Sequence, residues 1–196
     1  GRPRGGVGGL RPLAFAWPSA LLFWEVHTWA FLPGFKVGRG GMEGGKKADS
    51  RDSSSMGVLI GLTGLASFIA YFVAFVKVWS FPERMQVPLF AAGVLLIVLG
   101  SLLRRYCWRT LGEYFTGDVR ARADQPVIRT GPYSLVRHPS YTAGITMYTG
   151  VGLALGNWVS LALLTISTIV AYCYRVAVEE RVLVDEVGDD MQRLKD

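Results

Sequence analysis

The sequence predicts an all-α integral membrane protein of about five transmembrane helices, ending in a C-terminal helical hairpin beside a long cytoplasmic loop. Three observations predict it. Of 196 residues, 51% are hydrophobic and only 18% charged, with a mean hydropathy of +0.30. The apolar residues gather into blocks of about 20, the length a helix needs to cross roughly 30 Å of hydrocarbon. The Lys and Arg residues lie between those blocks, as they do in loops that face an anionic leaflet.

The first block runs from about Leu10 to Phe35 and holds Pro12, Pro18, Pro33, Glu25 and His27. Proline is tolerated in a membrane helix where neighbours satisfy the freed carbonyls. Residues 38–55 are rich in Gly, Ser and charge, which reads as a loop. The second block, Met56 to Trp79, closes on Lys77 and Trp79, residues suited to an interface. A short turn at Phe81-Pro82-Glu83-Arg84 leads to a third span, Val87 to Leu103. The stretch from Arg104 to Pro139 is polar, Arg-rich and broken by Gly and Pro, so it reads as a functional loop with short helical pieces. Tyr141–Leu155 and Trp158–Val178 form the hairpin about a tight turn at Gly156-Asn157, and a charged, helix-prone segment closes the chain. Three regions follow: a tail, first span and basic loop over 1–55, two spans over 56–103, and a chemistry-bearing region over 104–196. The Gly/Arg-rich start reads as a disordered tail rather than a signal peptide, and the absence of an initial Met suggests a fragment.

The net charge is +6 and the pI about 9.5. Five Lys/Arg fall in 36–55 and seven in 104–140, against one in 80–86. This asymmetry puts both basic loops and the C-terminus in the cytoplasm, although Arg2, Arg4 and Arg11 oppose it weakly. The pattern favours membrane lipids over nucleic acid as the basic partner. Two cysteines, Cys107 and Cys173, have no metal-type spacing, so neither a disulfide framework nor a metal site is expected.

Three clusters carry possible chemistry. Arg137-His138-Pro139-Ser140-Tyr141 sits at the hairpin mouth. In isolation it fits a polar segment stopped by proline, but Pro139 at the first helical position holds His138 extended. The imidazole and the helix-start N–H groups then address one pocket, suited to a carboxylate. Upstream, Pro126 sets an extended entry and Gly131-Pro132 a turn. This leaves backbone groups of Gln125, Pro126, Val127 and Ile128 available to a purine or ribose, with Tyr133 or Val127 as an apolar wall. A plain surface loop is the other reading. Arg175 and Glu179 are four apart and share a helix face. They suit either a snorkelling Arg at a helix end or a functional pair, since ionisable groups at membrane depth are costly. Gly156-Asn157-Trp158 reads as structural, and Glu25 and His27 as structural or interhelical.

With these residues the chain resembles the isoprenylcysteine carboxyl methyltransferase family, from about Arg104 to Gly188. The likeness rests on the run from Gln125 through Thr130-Gly131-Pro132-Tyr133 to Arg137-His138-Pro139-Ser140-Tyr141, then Gly156-Asn157, then Arg175 with Glu179-Glu180. The resemblance implies S-adenosyl-L-methionine-dependent methylation of the carboxylate of a prenylated cysteine. It implies cofactor contacts at Gln125, Pro126, Val127, Ile128, Tyr133, His138, Pro139, Ser140, Tyr141 and Glu179, and places Arg175 against the acceptor carboxylate. The substrate would be a prenylated protein or a related lipid acid. The location would be the endoplasmic reticulum membrane in a eukaryote and the inner membrane in a bacterium. The family continues past the Glu-Glu helix with an aromatic, basic segment, so part of a lid is expected to be missing here. Two other enzyme classes fit less well: phospholipid amine N-methylation, and NADPH-dependent sterol reduction. A non-catalytic scaffold would leave three polar clusters at one membrane face without purpose.

Overall fold

The computed structural model describes residues 50–76, 79–112 and 130–193. Their architecture is all-helical: α1 (Ser50–Val76), α2 (Glu83–Leu111), a 3-10 turn (Gly131–Ser134), α3 (Pro139–Ala154) and α4 (Trp158–Arg193). Three helical stretches, Ser55–Val76, Glu83–Leu111 and Trp158–Arg181, are long and apolar enough to cross a membrane. α3 has 16 residues, about 24 Å at 1.5 Å per residue. The expected first span lies outside the described residues, and of the other four expected spans three are helices long and apolar enough to cross a membrane.

Both long helices outrun their expected bounds: α1 begins at Ser50, inside the stretch 38–55 that reads as a loop, and α2 begins at Glu83 rather than Val87. The third span continues to Leu111 rather than ending at Leu103, so residues 104–111 belong to a helix and not to the polar loop. A fall in hydropathy marks where a helix leaves the apolar layer, whereas the helix itself ends where its backbone finds a cap. That cap is Gly112, at φ 54°, whose N–H donates to the Trp108 carbonyl. At the other end Pro82 and Glu83 start α2 as the macrodipole favours.

The turns at one end of the bundle hold each other. The Phe81 N–H donates to the Gly156 carbonyl at 2.8 Å, and the Trp158 N–H to the Trp79 carbonyl at 3.1 Å. Gly156 takes φ 69°, a left-handed conformation that suits glycine. The buried Asn157 side chain accepts from the Val159 and Ser160 N–H groups, capping α4. The hairpin turn read from the sequence is therefore present. With both turns at one end, the start of α1, the end of α2, the start of α3 and the later turns of α4 share the opposite end.

Small residues set the spacing of α2 and α3. A Cβ built on Gly93 would lie 2.6 Å from the Gly150 carbonyl oxygen, and one on Gly100 2.9 Å from that of Ala143. Backbones approach this closely in membrane bundles because dispersion, rather than hydrophobic exclusion, holds the helices together. The core cluster of Ala66, Ala70, Ile97, Tyr148, Val151 and Leu164 draws on all four helices. Gly150→Ala would press its methyl against the Gly93 oxygen at 2.6 Å and the Ile97 nitrogen at 2.9 Å. Since both obstacles are backbone, the helices must part, at a cost of about 1–3 kcal/mol. A lowered thermal midpoint in detergent is the expected result.

Candidate functional site

At the end of the bundle away from the turns, polar side chains from all four helices meet. Pro139 occupies the first position of α3, and His138 before it takes φ −124° and ψ 62°, outside the helical region as a residue before proline must be. One turn into α3, Tyr141 reaches α4, where its hydroxyl donates to Glu179 Oε1. Arg175 Nε stands 3.0 Å from the same oxygen and donates to the Tyr141 hydroxyl at 3.1 Å. Glu179 Oε2 faces His138 Nδ1 at 3.7 Å. Arg175 and Glu179 are only 4% and 7% exposed, so neither charge is tolerable without the other.

Three rings form a wall beside this cluster. His138 and Tyr141 stack at 5.3 Å between centroids and 1° between planes, and Tyr141 stacks on Tyr172 at 4.8 Å and 21°. His138 stands at the accessible edge, its side chain 34% exposed, while Tyr172 is buried at the inner edge. Tyr172 fits because Gly144 faces it: a Cβ there would come within 2.7 Å of the ring carbon Cε2. Beneath the wall, Leu59, Ala171 and Tyr172 form a second apolar cluster with Tyr141 packed on it.

The sequence reading did not single out three members of this arrangement. Arg104, counted there only as a loop charge, donates from Nη1 to the Tyr172 hydroxyl at 3.4 Å and lies over the Trp108 ring. Tyr172 is three residues before Arg175 and seven before Glu179, a spacing that puts all three on one face of α4 and gave the available signal. Ser55, fully buried on α1, accepts from Arg175 Nη1 at 3.3 Å.

Tyr133 lies in the 3-10 turn, half-buried, and pairs with the Cys107 thiol at the end of α2. Burial, reinforced by Cys107, pushes its phenol up, which keeps it a neutral hydrogen-bonding group. Ser140 is half-buried in the first turn of α3 and Pro139 is buried. The structure thus brings His138, Tyr141, Arg175 and Glu179 into direct contact and sets Pro139 and Ser140 beside them. Tyr133 stands against α2, where the Arg104 charge acts on its phenol, apart from the His138–Tyr141–Arg175–Glu179 contacts. Gln125, Pro126, Val127 and Ile128 lie outside the described residues. Among the described residues, no group of three or more His, Cys, Asp or Glu is placed to hold a metal ion.

This geometry offers a carboxylate and a guanidinium in a nearly dry site, next to a flat aromatic wall with one accessible edge. Such a site can orient a charged group and stack a planar one. A protein-S-isoprenylcysteine O-methyltransferase of Saccharomyces cerevisiae is 33% identical over 95 residues, 47% of this chain and 40% of that protein. One from Schizosaccharomyces pombe is 30% identical over 101 residues, covering 50% and 43%. Protein-S-isoprenylcysteine O-methyltransferase B of Arabidopsis thaliana is 28% identical over 98 residues, covering 49% and 50%. The chain thus spans half or less of the length of each of these three relatives. The family model described as phospholipid methyltransferase matches residues 89–189. That match takes in just over half of the chain and every member of the cluster except Ser55, and the chain belongs to the phospholipid methyltransferase family.

Proposed function

We propose that this chain is a membrane methyltransferase that uses S-adenosyl-L-methionine to methylate the C-terminal carboxylate of a prenylated cysteine. The observation that carries the reading is the buried Arg175–Glu179–Tyr141 cluster at one end of the bundle. The isoprenylcysteine name shared by the relatives described above supports the choice of acceptor class.

The residues present fit such a donor. A cationic, zwitterionic ligand with a purine needs a carboxylate and a flat face. Glu179 Oε2, turned towards His138, and the His138–Tyr141 stack supply them. When bound, the donor supplies a methyl group on a positively charged sulfur, ready for in-line transfer to an acceptor oxygen. The acceptor carboxylate is ionised at neutral pH, so no general base is required of the protein. What the chain contributes is placement and a dry site. Arg175 orients the acceptor carboxylate, and to do so shares or exchanges its present partner, the Glu179 carboxylate. Tyr141 links the two by its hydroxyl and holds Glu179 while that exchange occurs. The prenyl chain enters from the bilayer and the polar donor from the loop side.

Amine N-methylation gains nothing from a buried guanidinium at the acceptor, and that disfavours it. The deciding experiment uses the protein in detergent, measuring binding of S-adenosylhomocysteine and of NADPH, and methyl transfer to an N-acylated S-prenylcysteine acid. We expect S-adenosylhomocysteine binding and carboxyl methylation. NADPH binding without S-adenosylhomocysteine binding would overturn the proposal in favour of a reductase, and transfer to an amine lipid alone would overturn the acceptor. In a eukaryote the endoplasmic reticulum membrane is the expected location, and in a bacterium the inner membrane.

A further inference from the structure

We infer that Ser55 of α1 is a positioning residue of the site, holding the Arg175 guanidinium in the orientation that receives the acceptor carboxylate. The inference rests on the carboxyl methyltransferase reading. It adds a helix that lies outside the family's matched segment, residues 89–189.

Arg175 has two sides. Its Nε addresses Tyr141 and Glu179, while its Nη1 donates to Ser55 Oγ at 3.3 Å, a contact spanning 120 positions of sequence. Glu179 is the partner that an incoming carboxylate competes with, so it cannot alone fix the guanidinium during that exchange. Ser55 can, because it holds the opposite nitrogen and carries no charge to compete. Burial sharpens the point. Ser55 is 0% exposed and Arg175 4%, and a buried guanidinium has its orientation set by its fixed hydrogen-bond acceptors.

Other hydroxyls of the bundle bond backbone carbonyls. On α1 Thr63 donates to the Leu59 carbonyl and Ser67 to the Thr63 carbonyl, each one turn back. Ser160 joins α4 to the Ala70 carbonyl of α1 well away from the charged cluster. Of these hydroxyls, Ser55 is the one bonded to a side chain that the site uses. A serine that only filled space at this position could be replaced by alanine without any effect on the acceptor.

The test compares Ser55→Ala, Ser55→Thr and Ser160→Ala in the 196-residue protein in detergent. Ser55→Ala should raise KM for an N-acylated S-prenylcysteine acid about tenfold, the worth of a hydrogen bond to a charged group, with S-adenosylhomocysteine Kd within about twofold. Ser55→Thr, which keeps the hydroxyl, should recover most of the loss. Ser160→Ala should lower the thermal midpoint and leave acceptor KM alone. An unchanged KM in Ser55→Ala, or an equal rise in Ser160→Ala, would overturn the inference. The Arg175 Nε–H resonance, identified by its absence in Arg175→Lys, gives a readout independent of turnover. It should move in Ser55→Ala and return in Ser55→Thr, and if it stays in place in Ser55→Ala the inference is wrong. Should the wild-type protein fail to methylate any prenylcysteine acid, the functional reading falls, while the resonance still decides the role of Ser55.

Discussion

Arg175→Ala is expected to lower kcat/KM for a prenylcysteine acid by about 100-fold or more, as loss of a preorganised cationic donor does, while changing S-adenosylhomocysteine affinity much less. The asymmetry follows from position. Arg175 lies against Ser55 and Tyr141 on the buried side of the cluster, whereas the accessible edge of the wall belongs to His138. The substitution also strands Glu179, at 7% exposure, without its cation. Breaking a buried pair from one side costs about 3–5 kcal/mol, so the variant will also be less stable. Arg175→Lys separates the two effects. Lysine keeps the charge that Glu179 needs but lacks the fork that can hold Ser55 and a carboxylate together. It should restore the thermal midpoint more fully than turnover. Kinetics on the acceptor and binding of S-adenosylhomocysteine, measured on the same preparations, check the prediction. Equal losses in both would assign Arg175 to the donor side.

The parts of the site that were legible in the sequence are those fixed by local chemistry. Pro139 announces a helix start, forces His138 out of the helical region and leaves Tyr141 one turn inside. Arg175 and Glu179 announce a shared face by their spacing. Gly156-Asn157 announces the turn that folds one wall onto the other. What was not legible depends on contacts between helices. Ser55 falls in the stretch 38–55 that reads as a Gly-, Ser- and charge-rich loop, so nothing marked it as a helix residue turned towards α4. Its partner comes from α4, which only the fold places beside it. Arg104 read as a loop charge because hydropathy falls at that point, although α2 continues to Leu111 and carries it against Tyr172. Gly144 gave no signal, since its importance lies in the Tyr172 ring that occupies the space of its missing side chain. The hairpin as a unit was predictable, but the identity of what it packs against was not.

Glu179→Gln tests the other wall and should give the opposite split. The amide keeps the shape of the carboxylate and an oxygen for Arg175 Nε and the Tyr141 hydroxyl, so the loss of fold stability should be smaller than in Arg175→Ala. What it removes is the negative charge shared between Arg175 at 3.0 Å and the His138 side at 3.7 Å. If that charge faces a cationic donor, affinity for S-adenosylmethionine should fall about tenfold, as for a hydrogen bond that loses its charge. The acceptor KM should change less. Comparing the two donor forms locates the interaction more closely. S-adenosylmethionine carries the sulfonium charge and S-adenosylhomocysteine does not, while both carry the amino group. A loss confined to S-adenosylmethionine places Glu179 near the sulfur, and an equal loss in both places it at the amino group. Donor affinities unchanged by Glu179→Gln, with turnover alone reduced, would remove Glu179 from the donor site. Its role would then be to hold Arg175 in place through the i,i+4 pair, leaving the cofactor to the ring wall and the loop before it.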